Sequence, residues 1–469
     1  MPIFLQWTLF PLFATRNRLM KSNSALLVAV GIAALSLGAW SQTDPASSNP
    51  ATDRASSTLA TTDRAASDDS SAAMESASTP SEGHSAISFR RDGLWFSTAD
   101  KGTQLHVHGY VQADDRMFTS STHGEELDQF LFRRIRPLFE GTLFKAVDFR
   151  FMPDFGQGTQ QIQEAYLEEK TFSFAKLRVG KFKEPIGLEV LRSDRELIFA
   201  ERSLASDLVP LRYLGAQLSG SVLSDSIAYE GGFFQGSSDG SNGVFTQWTS
   251  SHEAVARLFL RPFAATRVHP LHNFGLGVAG SAGDQEGAIA GLKTVGQTTF
   301  FKYSSTTVAN GQHNRLSPQA YYYLGPFGVM SEYVLSSQEV LNKAHAGRVK
   351  NQAWETTVSV MLTGEKNSYA GVRPPSATEH VSGWRRFGGV ELAARYSQLA
   401  IDGDAFPRFA SVSSSAQMAK EQGIGLNWYL NRYVKLVTDF EHTNFTMAPG
   451  NKTPLHAENV LMNRIQLAF

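Results

Sequence analysis

The last residues of the chain alternate. Leu461, Ile465, Leu467 and Phe469 fall in one phase, and Arg464 and Gln466 fall in the other. A period of two marks a strand with one apolar and one wet face. This strand runs out on an aromatic at the final residue, so its free edge needs a partner. A closed antiparallel barrel supplies one, because the first strand takes up the last. Barrels of bacterial outer membranes turn apolar side chains to lipid and polar ones to the lumen. An edge strand of a water-soluble sheet would look the same locally, so the rest of the chain decides.

The alternation recurs upstream. Leu105, Val107, Gly109 and Val111 oppose His106, His108, Tyr110, Gln112 and Asp114. Val390, Leu392, Ala394 and Tyr396 oppose Glu391, Ala393, Arg395 and Ser397. Ile424, Leu426 and Trp428 oppose Gly425, Asn427 and Tyr429, and Val434, Leu436, Thr438 and Phe440 oppose Lys435, Val437, Asp439 and Glu441. Asn431-Arg432 between these last two runs suits a hairpin turn. Further runs lie near 128–142, 146–155, 160–171, 174–183, 213–223, 226–235, 253–263, 273–281, 297–304, 316–324, 327–338 and 351–363. The runs named number seventeen, and about sixteen strands are expected, since single-chain bacterial barrels generally require an even number.

The wet face carries Arg, Lys, Asp and Glu, which a packed interior would not accept unpaired. Sixteen strands enclose an aqueous channel. The expected fold class is therefore all-β, a transmembrane antiparallel β-barrel over residues 87–469. Mean hydropathy is only −0.21, and no apolar run beyond the N-terminus reaches the roughly 18 residues of a spanning helix. A net charge of −1 gives no case for nucleic acid as a partner. The chain has no Cys, which removes disulfides and thiolate metal sites.

Residues 1–41 read as a signal-peptide region. The stretch Met20-Lys21-Ser22, the apolar run Ala25–Leu37 and the small residues Ala39 and Ser41 have the order an export signal needs. Met20 is the expected true start. Residues 42–86 are rich in Ser, Ala, Thr and Asp, and carry no aromatic before Ile87. They read as a disordered periplasmic spacer, unable to bury enough apolar surface to offset chain entropy.

Several blocks now resemble one family. They include Gly109-Tyr110-Val111-Gln112-Ala113-Asp114, Phe132-Arg133-Arg134-Ile135-Arg136 and Arg178-Val179-Gly180-Lys181-Phe182-Lys183-Glu184-Pro185-Ile186-Gly187-Leu188-Glu189. Glu201-Arg202-Ser203, Leu362-Thr363-Gly364-Glu365, Glu391-Leu392-Ala393-Ala394-Arg395-Tyr396, Gly425-Leu426-Asn427-Trp428-Tyr429-Leu430 and the terminus follow in order. Together they are similar to the phosphate- and polyphosphate-selective porins, the porin O and P family. The resemblance implies a homotrimeric pore of sixteen strands in the outer membrane of a Gram-negative bacterium, embedded in lipid and lipopolysaccharide. It also implies a third extracellular loop that folds into the lumen as a constriction, and the long connection at about 184–211 is where that loop should lie.

A pore for small inorganic anions such as phosphate must replace hydration with charge-assisted donors, and Arg suits this because its planar fork holds two oxygens. Arg133, Arg134 and Arg136 are the candidates on the second strand, with Lys183 and Arg202 beside them at the loop. By resemblance, Arg133 and Arg134 take the place of the paired arginines that meet phosphate in the family. The alternation, however, sends Arg134 and Arg136 to the lumen and Arg133 away from it unless a bulge intervenes. Pairing of this cluster with carboxylates is the structural alternative. Tyr110 and Arg395, on the wet face, are expected to line the pore. Tyr110 stands where phosphate-specific members carry an arginine, and from Lys181 to Arg212 six bases oppose six acids. Passive diffusion through a porin is thus read more firmly than phosphate selectivity.

Other features carry less. His106-Val107-His108 puts two imidazoles on one face, with no third metal ligand evident nearby. The Gly-Ser-Asp stretch at 236–243 reads as a flexible loop. No nucleophile elbow or phosphate-binding loop is present, so neither enzyme activity nor a cofactor is expected. A non-conducting adhesin or structural barrel remains the alternative to a pore.

Overall fold

The computed structural model describes residues 86–469 except 91, 125–127, 173, 244–249, 267–268, 344 and 375–387. The signal-peptide reading and all but the last residue of the spacer lie outside the described residues. Twenty strands are described. They are β1 (Ala86–Arg90), β2 (Gly93–Ser97), β3 (Gln104–Ser120), β4 (Gln129–Leu143), β5 (Val147–Asp154), β6 (Gln161–Phe172), β7 (Ala175–Lys183), β8 (Arg212–Val222), β9 (Ile227–Gln235) and β10 (His252–Leu260). The rest are β11 (Phe274–Ala288), β12 (Leu292–Lys293), β13 (Thr299–Phe301), β14 (Thr307–Leu324), β15 (Phe327–Asn342), β16 (His345–Met361), β17 (Gly389–Ala400), β18 (Ala416–Tyr429), β19 (Val434–Met447) and β20 (Glu458–Ala468).

Strands β3–β11 and β14–β20 pair in sequence and form a closed wall of sixteen. Closure is made by the terminal strand, with Leu467 opposite Val111 and Gln466 opposite Gln112. Phe469 exchanges both backbone hydrogen bonds with Gly109, at 2.9 and 3.0 Å. No strand edge is left open at this seam, as lipid demands. The β1–β2 hairpin extends the sheet past the seam, pairing with Gln104–Val107 of β3, the part β20 does not reach.

One run moved. The 297–304 segment is not a wall strand; only Thr299–Phe301 is extended, and it pairs with β12 inside the 289–306 loop. Its Phe300 and Phe301 are fully buried in the main apolar cluster, with Leu208 and Val209 of the 184–211 connection and Val340 and Ala419 of the wall, so the local pattern served packing of the loop. The wall resumes at Thr307.

The two faces differ as the alternation requires. Leu167, Val179, Phe233, Ile424 and Ile465 are exposed on the outside, where hydrocarbon would cover them. Glu421, Asn427, Asp439 and Arg464, their inward counterparts, are buried. What buries them is the connection between β7 and β8, residues 184–211, which lies inside the barrel. Its backbone is held by inward side chains from distant strands. Glu332 of β15 accepts from the Leu188 and Glu189 amides at 2.7 and 3.0 Å. Asn427 of β18 donates to Ile198 O at 2.9 Å, and Lys435 of β19 to Leu197 O at 2.6 Å. The segment therefore reaches across the lumen. The 289–306 loop packs on its far end, where Lys293 N donates to Asp207 at 2.7 Å.

Candidate functional site

The arginines of β4 meet the inner segment. Between Gln112 and Ala113 of β3 the register on β4 jumps from Arg134 to Phe132, so Arg133 is the extra residue of a bulge. The next connection closes tightly over it: a Cβ on Gly156 would sit 2.5 Å from Arg133 O. The bulge brings both Arg133 and Arg134 to one carboxylate, Glu201. Arg133 donates to its two oxygens at 2.5 and 3.1 Å, and Arg134 lies 3.7 Å away. Arg116 of β3 donates to the same group at 2.9 Å, and Arg464 of β20 approaches to 3.5 Å. Burial alone would raise the Glu201 carboxyl, but Arg133, Arg134 and Arg116 hold it well below the usual carboxylate range.

Asp194 is the second anchor. Arg136 of β4, Arg202 of the segment itself and Arg212 of β8 all pair with it, Arg212 at 3.2 Å. Burial is again outweighed, with Arg202 and Arg136 the main partners, and the carboxyl is held well below its ordinary value. Arg136 also bonds Asp154 at 2.7 Å and donates to the Tyr110 hydroxyl at 2.9 Å. Lys183 donates to Arg192 O at 2.8 Å and so closes the end of the short α1 helix (Leu188–Leu191). Arg395 points inward beneath the segment, with no side-chain exposure; it joins Glu421 at 3.1 Å, Glu441 at 2.8 Å and Glu201 O at 2.9 Å. Of the sequence candidates, then, Arg133, Arg134, Arg136 and Arg202 converge on two carboxylates of the inner segment. Lys183 holds its backbone, and Arg395 ties Glu421 of β18 and Glu441 of β19 to Glu201 O and, at 3.6 Å, to Glu189 of the segment.

Two arginines that the sequence did not single out are placed differently. Arg192 and Arg195 lie on the inner segment, and neither forms an ion pair among the described residues. Nε and Nη1 of Arg192 and Nε of Arg195 are buried without a hydrogen-bond partner. Arg195 lines a cleft between the segment and the β3–β5 wall, with His108, Tyr110, Arg150, Lys183, Asp194, Glu196 and Arg212. Four bases face two acids there. The cleft has room for about 30 Å³, enough for about two waters. No sequence signal marks these two residues beyond their place in the long connection.

For two other acids of the segment, burial outweighs the compensating partners. Burial, reinforced by Glu253, pushes the Glu184 carboxyl well up. Burial takes Asp207 up to about 7 despite the hydrogen bond from the Lys293 amide. The 236–243 stretch is not a loose loop. It folds inward, and Asp239 joins Arg315 at 2.7 Å and Ser336 at 2.6 Å.

Comparison with known proteins agrees with this architecture. Residues 105–469 match the family model described as phosphate-selective porin O and P. The chain is 23% identical over 385 residues to Porin O of Pseudomonas aeruginosa, covering 74% of this chain and 84% of that protein. Its fold is similar to the outer membrane channel DcaP of Acinetobacter baumannii, with TM-score 0.52 and 9% identity over 78% of this chain and 98% of that one. It is also similar to Salmonella typhi OmpF in complex with daunomycin, with TM-score 0.50 and 12% identity over 78% and 98%. The trimer form of Vibrio cholerae OmpT matches with TM-score 0.50 and 10% identity over 78% and 100%. With its sixteen-strand wall, its apolar outer face and a family match over most of its length, the chain is an outer-membrane porin of a Gram-negative bacterium and belongs to the phosphate-selective porin O and P family.

Proposed function

We propose that this porin passes small anions, phosphate among them, by passive diffusion, and that the inner segment 184–211 is its constriction. The supporting observation is the contrast between arginines. Arg133, Arg134, Arg136 and Arg202 are engaged by Glu201 and Asp194, whereas Arg195 and Arg192 on the segment have buried donors without partners and form no ion pair among the described residues. A buried guanidinium N–H left unmade is costly, and a passing anion would satisfy it with charge-assisted bonds. In this reading the wall arginines and Arg202 fasten the constriction, and Arg192 and Arg195 select. Family and fold point to a channel in place of an enzyme. The trimeric form of one fold relative supports a homotrimer here, set in outer-membrane lipid and lipopolysaccharide.

The test is a planar-bilayer measurement of chloride against potassium permeability, followed by phosphate competition with the chloride current. Anion preference with phosphate block is the expected result. Cation preference refutes the reading. The narrowness of the cleft favours a second possibility, a barrel with a filled lumen and a structural role. Absence of any single-channel conductance would establish that instead.

A further inference from the structure

We propose that His106, His108 and Glu140 form a binding site for a zinc-class divalent cation, near the end of the barrel that carries Phe469. The sequence offered two imidazoles on one strand; β4 supplies the third ligand. His108 Nε2 lies 3.0 Å and His106 Nδ1 lies 3.7 Å from the same oxygen, Glu140 Oε1. One ligand atom from each of the three residues falls within 4.8 Å of the others.

The tautomer makes the case. His106 Nε2 lies 2.8 Å from the backbone carbonyl oxygen of Asp92. A carbonyl only accepts, so Nε2 carries the proton, and in the neutral ring Nδ1 carries a lone pair. That nitrogen is buried, has no hydrogen-bond partner and faces a carboxylate oxygen. Glu140 Oε1 accepts from His108 Nε2 at 3.0 Å, so a cation entering here would displace that proton and bind both the carboxylate and the His106 Nδ1 lone pair. A carbonyl that fixes one ring nitrogen while the other is presented is the usual outer support of a ligating histidine. Glu140 can serve both sides. Arg150 takes its Oε2 at 2.8 Å, which leaves Oε1 toward the histidines.

Two imidazoles and one carboxylate suit Zn²⁺, and also Ni²⁺ or Cu²⁺, better than Mg²⁺ or Ca²⁺. Three protein ligands leave a fourth position open. The two rings stack in parallel at 4.2 Å, so loading requires them to turn until both nitrogens converge. Tetrahedral zinc ligands at about 2.0–2.1 Å from the metal are roughly 3.3 Å apart, which is a movement of about an ångström. Trp95 stacks on His106 at 4.1 Å and gives the site an internal reporter.

The experiment is a ZnCl₂ titration of the full processed protein in detergent, without a polyhistidine tag, read by Trp fluorescence and by calorimetry. One zinc per chain is expected, with no response to MgCl₂. His106→Ala and His108→Ala should each weaken binding at least tenfold. His269→Ala combined with His272→Ala, which removes an exposed histidine pair, should leave it unchanged. Should His106→Ala fail to fold, His106→Gln keeps a donor for Asp92 while removing the ligand. Anomalous scattering from zinc-soaked wild-type crystals then locates the ion without any variant. No saturation by 100 µM zinc, a site that survives both His106 and His108 substitutions, or an anomalous peak elsewhere would each overturn the proposal and leave the cluster as a hydrogen-bonded ion pair.

Discussion

Two groups of arginines share one lumen and differ in what faces them. Around Glu201, Arg116, Arg133, Arg134 and Arg464 come from three wall strands to a single carboxylate on the inner segment. On the segment itself, Arg192 and Arg195 form no ion pair among the described residues, and Glu391 and Glu196 act on Arg192 only from beyond contact distance. Residue type is the same in both places. The difference lies in the counter-charge, and it separates an arginine that holds architecture from one able to receive a ligand. A count of basic residues in a pore wall is therefore a weak guide to selectivity.

The comparison breaks most directly at Glu201. Glu201→Gln keeps the shape and removes the charge that balances the wall arginines. Breaking a buried pair from one side costs about 3–5 kcal/mol. The expected outcome is lower resistance to urea unfolding in detergent by that order, with noisier single-channel current and stronger anion preference as wall arginines are released. A variant as stable and as quiet as wild type would mean that Glu201 does not fasten the segment.

The second test exchanges the groups. Arg195→Ala should weaken phosphate block by about tenfold or more, the equivalent of one charge-assisted hydrogen bond of about 1.5–3 kcal/mol. Arg133→Ala should change it by less than about twofold on the same scale, while disturbing stability. Phosphate titrations of the chloride current measure both. The reverse ranking would return anion contact to the wall.

How much of this could be read from the chain depends on distance along it. The fold was legible because alternation is local: Leu467, Ile465 and Phe440 declare their lipid side within their own strands. The sixteen-strand wall follows, except at 297–304, where Phe300 and Phe301 mimic a strand while filling a loop. The site was less legible because charge pairing is not local. Arg464 meets Glu201 across 263 positions, and no spacing rule joins them. The same applies to Glu140, which reaches His108 from 32 positions away. Arg133 was an intermediate case: alternation put it outside, and the bulge that turns it inward is a property of the β3–β4 pair, not of β4 alone.

Acid–base behaviour sharpens the contrast between fastened and unfastened acids. Asp194 and Glu201 are held below their ordinary values, so their contribution is complete above about pH 4.5 and is lost only as pH falls through the lowered values. Asp207 has the opposite sign. Its carboxyl is raised from 3.8 to about 7, so the stability it lends is full below its unfolded value and declines as pH rises toward about 7, then levels. The slope is at most about 1.4 kcal/mol per pH unit. Asp207→Asn keeps an acceptor for the Lys293 amide and should remove this component. Comparing urea midpoints of wild type and variant from pH 5 to 8 checks it. Parallel curves would show that Asp207 does not titrate in that window.

The smallest effect concerns the other side of the segment. Residues 362–374 enter from the end of the barrel opposite the long loops. Tyr369 stacks on Tyr321 at 5.1 Å, and its hydroxyl donates to Leu188 O at 2.7 Å. The Glu189 amide of the same peptide is already held by Glu332 at 3.0 Å, so this peptide is gripped at both its N–H and its C=O. Tyr369→Phe keeps the ring contact and removes only the hydroxyl, at a cost of about 0.5–1.5 kcal/mol. If the segment's position rests mainly on its carboxylates, conductance and selectivity should stay within error while hydrogen exchange near Leu188 quickens a few-fold. A change in selectivity as large as that of Arg195→Ala would instead give the 362–374 segment a share in the constriction, and the division between fastening wall and selecting segment would need a third member.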